Sequence, residues 1–338
     1  MATLDYGRVD IKALSYSRCN SLHQCPRKFQ LENGIKLNNG NRTSATFAFG
    51  HAVGMAIQAT AEGDTYEQMM LRVFLEWDLD IEELGTLSEQ RALKSVWFAL
   101  EAADRWWELV HDPKNSDLKG WEVAMITDPN TGELIPGVEL TFSIDCGNGY
   151  IYEGHIDLLV VNKAHTKFKV VELKTNSGNQ LHEAMYKNSM QAVGYSVVID
   201  KAAQSLGISN AFDVQYVVYQ TKQQKYTSLP FLKTPKDRAV FLSNLITDIN
   251  YIDMCEQNNY YPRNGSSCYD FFRPCDYFGI CNMSDEVLAG MAAKNIQEGA
   301  EVFDEAGEDF AMFQFSLEDL LQQQEDSAAT VLKEIDNG

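Results

Sequence analysis

The sequence predicts an α/β sandwich around a central mixed sheet flanked by helices. Three observations predict it. Apolar residues recur at helical spacing through the first third of the chain. A β-rich block then runs from Trp121 to Lys174. Beyond it the order is helix, strand, helix as far as Gln257. With 338 residues, 45% of them hydrophobic, the chain can bury a sizeable core.

Element by element, Ser15 to Glu32 reads as a helix opening on serine hydroxyls and carrying a basic CPRK stretch. Phe47 to Glu62 is Ala-rich, and Tyr66 to Asp80 and Ser88 to Val110 keep helical spacing. The HDPKNSD stretch breaks the pattern. Strands are expected at Trp121–Thr127, Val138–Cys146, Tyr150–Val161 and Lys167–Lys174. A helix follows at Leu181–Leu206, a strand at Asp213–Tyr219, and a helix at Pro235–Gln257 with proline in its favoured first position. No internal repeat is visible. After about Gly299 the chain is acidic and Gln-rich, which reads as a mobile tail with one or two short amphipathic helices.

Formal net charge is −20, and it is unevenly spread. Asn282 to Gly338 holds fourteen Asp/Glu and two Lys, a net of −12, which leaves −8 for the rest. Lys163 to Lys225 holds eight Lys and four acids, so the middle is locally basic. Such a distribution permits local, metal-assisted DNA binding. No apolar run reaches membrane-spanning length, and the opening residues lack a signal-peptide core. The expectation is a soluble cytoplasmic protein with no membrane partner. Its seven cysteines then read as thiols or metal ligands before disulfides. No G-x-x-x-x-G-K-[ST] loop is present to drive an ATP motor.

The segment YEGHIDLLVVNKAHTKFKVVELKTNSG carries the chemistry. On alternating strands, His155 shares a face with Asp157, and Glu172 shares one with Lys174. A turn centred between Ala164 and His165 would set Asp157 opposite Glu172. Opposed residues have Cβ atoms roughly 4.5–5.5 Å apart. Carboxylates that close repel unless a cation lies between them, and hard oxygen ligands select Mg²⁺ or Mn²⁺. Lys174 would then hold or polarise a water beside a phosphate. The competing reading is a surface hairpin with solvated charges.

The pattern G-H-I-D-L-L…V-V-E-L-K-T, from Gly154 to Thr175, closely resembles the motif of RecB-like nucleases of the PD-(D/E)xK superfamily. That group includes AddB-type, CRISPR-adaptation and phage exonucleases. The resemblance implies a restriction-endonuclease-like core. It implies a Mg²⁺- or Mn²⁺-dependent deoxyribonuclease, exonucleolytic on single-stranded or duplex ends, standing in a host cytoplasm if phage-encoded. It makes Asp157 and Glu172 metal ligands with the Leu173 carbonyl, and Lys174 the helper of the attacking water. Gln191-Ala-Val-Gly-Tyr195 matches the family's QxxxY motif, whose Gln and Tyr contact the nucleic-acid strand from one helix face. Arg27 and Lys28 are further candidate nucleic-acid contacts. Glu139 resembles a recurrent acid on the neighbouring strand, with a structural role as the alternative. The family often carries a metal-binding His in a G-x-x-x-H pattern. Here Gly54 stands at that position and His51 lies about one helical turn earlier, as an accessory candidate or an ordinary surface or core histidine.

Cys268-x6-Cys275-x5-Cys281, with Cys25 in Gln24-Cys-Pro-Arg-Lys-Phe29, resembles the iron–sulfur clasp of AddB-type nucleases. The resemblance implies a 4Fe–4S cluster on these four thiolates, tying the chain ends across the core. Zinc takes four thiolates as well, and spacing leaves both open. Cys146 and Cys255 read as small buried residues.

The expected division is a nuclease domain at 1–282 and an acidic tail at 283–338. In the tail, Glu301 to Asp309 holds five acids, and Phe313, Leu317, Leu320 and Leu321 could form one helical apolar stripe. The tail could dock a protein partner, fold back over the basic middle and compete with DNA, or serve only as a solubilising end. Two rival functions stand beside the nuclease: a nuclease-derived binding module acting through partners, and an acidic DNA mimic.

Overall fold

The computed structural model describes the chain except residues 1–10, 35–44, 78–92, 113–117, 129–130, 206–211, 271–272, 298–310 and 325–338. The start of the helix expected from Ser88, the last residues of that expected to Asp80, most of HDPKNSD and the acids at 301–309 lie outside the described residues.

Strand β1 (Ala13–Leu14) leads into helix α1 (Tyr16–Gln24), capped by the Ser15 hydroxyl. The expected helix to Glu32 breaks at Cys25, which is extended (φ −160°, ψ 109°). Proline 26 explains it, because the residue before a proline is pushed out of the helical region. Pro26 then starts a short helix α2 (Pro26–Phe29), followed by a π turn over Gln30–Gly34. Three longer helices follow: α3 (Ala45–Glu62), α4 (Tyr66–Glu76) and α5 (Val96–His111). A reciprocal Thr65–Gln68 capping box starts α4, and the Ser95 hydroxyl starts α5.

Next come β2 (Trp121–Val123), β3 (Met125–Thr127), β4 (Leu134–Pro136), β5 (Val138–Gly147), β6 (Tyr150–Asn162) and β7 (Phe168–Asn176). The single strand expected over Trp121–Thr127 is two strands in different sheets: the Ala124 amide ends the ladder to β6 at the Leu159 carbonyl, while the Ala124 carbonyl accepts from the Gly137 amide, after which β3 pairs with β4. The helix expected over Leu181–Leu206 is also two, α6 (Glu183–Lys187) and α7 (Met190–Ser205). The Lys187 carbonyl, at the end of α6, accepts from the Lys233 ammonium at 2.7 Å. Strands β8 (Phe212–Gln220) and β9 (Lys225–Lys233) precede α8 (Pro235–Gln257), whose Thr234–Asp237 box and leading proline fix its start as expected. The remaining elements are the hairpin β10 (Tyr269–Asp270) and β11 (Arg273–Pro274), helix α9 (Asp285–Gln297), strand β12 (Phe313–Ser316) and a helical turn pair at 317–324, here α10.

Among the described residues the main sheet has eight strands, with β12, β5, β6, β7, β8 and β9 in order and β1 and β2 added along β6. It is mixed: β7 runs parallel to β8, and β12 parallel to β5. One face packs on α1, α7 and α8 through residues such as Phe142, Val170, Val198 and Leu245. The other packs on α3, α4 and α5 through Val53, Met69, Trp106 and Leu158. This is an α/β sandwich of the expected class. The tail departs from expectation. Phe313 lies in a strand instead of on a helical stripe, while Leu317 and Leu320 are buried in the core. No helix among the described residues is long and apolar enough to cross a membrane.

Candidate active site

The β6–β7 hairpin has the expected register. Its pairs run from Val161–Phe168 to Leu158–Val171, about a turn in which the Asn162 side chain accepts from the Thr166 and Lys167 amides. Continuing that register sets Asp157 opposite Glu172, but pairing stops one step short of them. From there β7 stays with β8, with Glu172 beside Tyr216. β6 stays with β5, and β1 takes the place beside Ile151 and Tyr152. The two strands therefore part, and the acids sit in the fork.

A second irregularity lies on the same rung. Val138 pairs with Leu158 and Leu140 with Ile156, so Glu139 faces Asp157. Glu139 has φ +47°, in the left-handed region that a side chain rarely adopts. Ile156 and Leu159 point into the same core, as do Leu140 and Phe142, whereas Val138 and Leu158 belong to the other face. The alternation thus resets by one residue on both strands at Glu139 and Asp157. Unbroken alternation, which would have joined His155 and Asp157 on one face, does not hold; His155 is exposed. The reset brings Glu139, Asp157 and Glu172 onto three neighbouring strands around one point of the sheet.

Freed from the ladder, the Leu173 amide donates to Asp157 Oδ2 at 2.8 Å. Lys174 Nζ donates to Glu172 Oε1 at 2.5 Å. Glu172 is fully buried, and its Oε2 has no hydrogen-bond partner. A buried carboxylate oxygen without a partner is costly. Burial first, and then repulsion from Asp157, raise the Glu172 carboxyl to about 8, against the pull of Lys174. Asp157 is also raised by burial, with Lys174 and the Leu173 amide opposing. Glu139 is raised by the protein around it and then by Asp157, but it is open to water on one side, which argues for a smaller effect. Burial works against the charge of Lys174, yet Glu172 and Asp157 outweigh it and raise its pKa. For the coupled pair we hold that Lys174 is charged, because the carboxylates beside it outweigh its burial, and that a proton is retained among the buried acids.

Among the described residues no group of three His, Cys, Asp or Glu side chains is placed to hold a metal ion. The donor set nevertheless fits a hard divalent cation. It offers oxygen ligands of excess negative charge, one of them an orphaned buried oxygen. Helix α7 covers the fork as expected. The Gln191 amide donates to the Tyr195 hydroxyl at 2.7 Å, and Tyr195 is buried, its phenol pushed up by burial and by Glu172 and Asp157. Tyr216 was missed in the sequence. It stands beside Glu172 in the parallel register and packs on Tyr186, ring centroids 5.2 Å apart. No local pattern reveals a parallel register between strands separated by two helices.

Other expected residues lie elsewhere. His51 is exposed on α3 and packs on Phe47 at 4.3 Å between ring centroids. No hydrogen bond or ion pair among the described residues joins it to the acids. An added Cβ at Gly54, where the family's histidine would stand, meets nothing within 4 Å. Arg27 is buried and committed to the protein. It donates to Gln30 Oε1 at 2.5 Å and Asp285 Oδ1 at 2.7 Å. In this structure its guanidinium ties α2 to the segment that opens α9. Lys28, half-buried, pairs with Glu32 at 3.4 Å.

The same tie brings the chain ends together. The Arg27 amide bonds the Pro262 carbonyl. The Asn264 amide donates to Cys25 Sγ at 3.4 Å, and the Cys268 thiol donates to the Asn264 carbonyl at 3.8 Å. The Cys275 amide bonds the Cys268 carbonyl, and Cys275 and Cys281 pack on Leu31, Tyr277 and Leu288. All four are free thiols, but among the described residues no three of them stand together as a group able to hold a metal ion. Burial instead pushes the thiols of Cys19, Cys146 and Cys255 upward, Cys146 to about 12.

No curated protein matches the chain. A sequence model of the PD-(D/E)XK nuclease superfamily matches residues 13–282, which contain the fork, α7 and Cys25, Cys268, Cys275 and Cys281. Two acids opposed where paired strands part, with a lysine two residues on, are the arrangement that the motif describes, and the chain belongs to the PD-(D/E)XK nuclease superfamily.

Proposed function

We propose that this chain is a divalent-metal-dependent deoxyribonuclease of RecB-like, phage or CRISPR-adaptation type that degrades DNA from strand ends. The observation that carries the reading is the fork: Asp157 and Glu172 opposed, Lys174 against Glu172, and a buried Glu172 oxygen left unpartnered. Asp157, Glu172 and the Leu173 carbonyl would hold Mg²⁺ or Mn²⁺, with Glu139 as a further acid on the open side. When bound, the cation supplies charge that polarises the scissile phosphate and favours ionisation of an attacking water. Lys174 orients that water and offsets charge developing on the phosphate oxygens. Gln191 and Tyr195, joined to one another on α7, would contact the strand over the fork. The preference for strand ends rests on the resemblance to RecB-like nucleases.

Cys25, Cys268, Cys275 and Cys281 would hold a 4Fe–4S cluster that secures the contact between the chain ends. The juxtaposition of Cys25 with Asn264 and Cys268 supports this. The amide of Asn264, aimed at Cys25 Sγ, suits a thiolate ligand.

End-labelled single-stranded DNA, linear duplex, covalently closed circular DNA and RNA incubated with Mg²⁺, Mn²⁺ or EDTA test the reading. Metal-dependent loss of linear DNA with the circle intact is expected. Cleavage of the circle would remove the end-dependence. Intact substrates in every metal would remove the nuclease.

A further inference from the structure

The C-terminal segment lies beyond the residues that match the superfamily, yet it is built into the active-site side of the core. Strand β12 pairs in parallel with β5, Phe313 beside Phe142 through Ser316 beside Asp145, and the Met312 amide donates to the Thr141 hydroxyl at 3.1 Å. The Phe142 ring meets Tyr195 edge-on, centroids 6.0 Å apart. Phe142 also lies so close over Gly154 that an added Cβ would stand 2.6 Å from its ring. Further along, α10 buries Leu320 completely. The amides of Gln323 and Gln324 donate to Asp200 Oδ2 at 2.7 and 3.3 Å. Asp200 is fully buried on α7, and the Arg238 guanidinium stands 3.5 Å from its other oxygen.

We infer that residues 312–324 are a positioning element of the active site, holding α7 over the fork through Phe142 at the Tyr195 end and Asp200 at the other. This rests on the reading of Gln191 and Tyr195 as strand contacts. The physical case is the cost of removal. Without the segment, Asp200 keeps only the 3.5 Å approach of Arg238 and loses both amides, and a buried carboxylate short of donors draws its helix toward water. The edge of β5 is also left unpaired beside Phe142. Helix α7 then loosens, and the Gln191–Tyr195 pair loses its fixed place.

Two variants test this in the full chain. Gln323→Glu sets a second carboxylate against Asp200, and adding Asp200→Asn restores a donor–acceptor pair. Hydrogen exchange read by mass spectrometry should show faster exchange at 190–200 in Gln323→Glu, no change at 96–111 on the opposite face, and recovery in the double variant. In steady-state assays KM for DNA should rise about tenfold with kcat nearly unchanged, the order expected for a lost positioned hydrogen bond, and should recover in the double variant. Exchange at 190–200 unchanged in Gln323→Glu would overturn the inference. Altered exchange in a protein with no nuclease activity would uphold the mechanical link and remove the nuclease reading instead.

Discussion

The backbone amide of Leu173 is hydrogen-bonded to the carboxylate of Asp157 at 2.8 Å. In a regular hairpin that amide or its neighbour would continue the ladder. Here a side chain takes it, so the residue that opens the fork is also the one that fills it. Asp157→Asn keeps an oxygen for this bond and removes only charge, whereas Asp157→Ala removes both. Both variants should lose at least about 100-fold in activity, the scale of removing positioned electrostatic stabilisation. Asp157→Asn should melt within a few degrees of the parent in EDTA, and Asp157→Ala lower. Asp157→Asn with parent-like activity, measured on purified protein, would show that the charge is not used.

A second prediction concerns pH. The Glu172 carboxyl is raised from its usual range to about 8, chiefly by burial. A raised acid binds its proton more tightly when folded. Its contribution to stability is therefore present below the unfolded value and is lost as pH rises through the folded value. In EDTA the protein should lose stability between about pH 4.5 and 8, with a slope of at most about 1.4 kcal/mol per pH unit for each proton involved. Metal must displace that proton, so affinity for Mn²⁺ should climb over the same range. Calorimetric titration in buffers of different ionisation enthalpy should reveal protons released on binding, and equal heats in all buffers would contradict this.

Gly154→Ala tests the packing that steadies the fork. A Cβ there would stand 2.6 Å from the Phe142 ring, which would have to move. Overpacking of this kind costs about 1–3 kcal/mol. Phe142→Leu should relieve part of it, so the double variant should be more stable than the two single losses combined predict. Strict additivity in denaturant melts would mean that the ring yields freely.

The cysteine set predicts colour. Protein purified without oxygen should be brown and contain iron, and replacing Cys25, Cys268, Cys275 or Cys281 by Ser should bleach it. Cys146→Ala and Cys255→Ala should keep the colour. Stoichiometric zinc in colourless protein would preserve the four ligands and remove the cluster.

Much of this architecture is legible locally. The hairpin register followed from a period of two about a short turn, and the bounds of α8 from Thr234, Pro235 and the residues after them. The break at Cys25–Pro26 follows from the same local rules, since a residue before proline leaves the helical region. The less visible features depend on distant partners. Arg27 looks like a phosphate contact until Asp285, far along the chain, occupies it. Strand β9 carries Pro230, which argues locally against a strand, yet an edge position tolerates it. Phe313 fits a helical stripe as well as a strand, and only the open edge of β5 decides between them. The convergence of Glu139 on Asp157 needs a shared irregularity in two strands, which no single strand pattern contains.

The most direct test of the central claim compares the purified parent with Glu172→Gln on end-labelled linear DNA in Mn²⁺. Glutamine preserves the size of the side chain and an acceptor for Lys174, while removing the charge that would hold the cation. The parent should degrade the DNA, stop in EDTA, and exceed Glu172→Gln by at least about 100-fold. Equal rates for the two proteins, or activity that persists in EDTA, would contradict a metal-dependent site in the fork of Asp157 and Glu172.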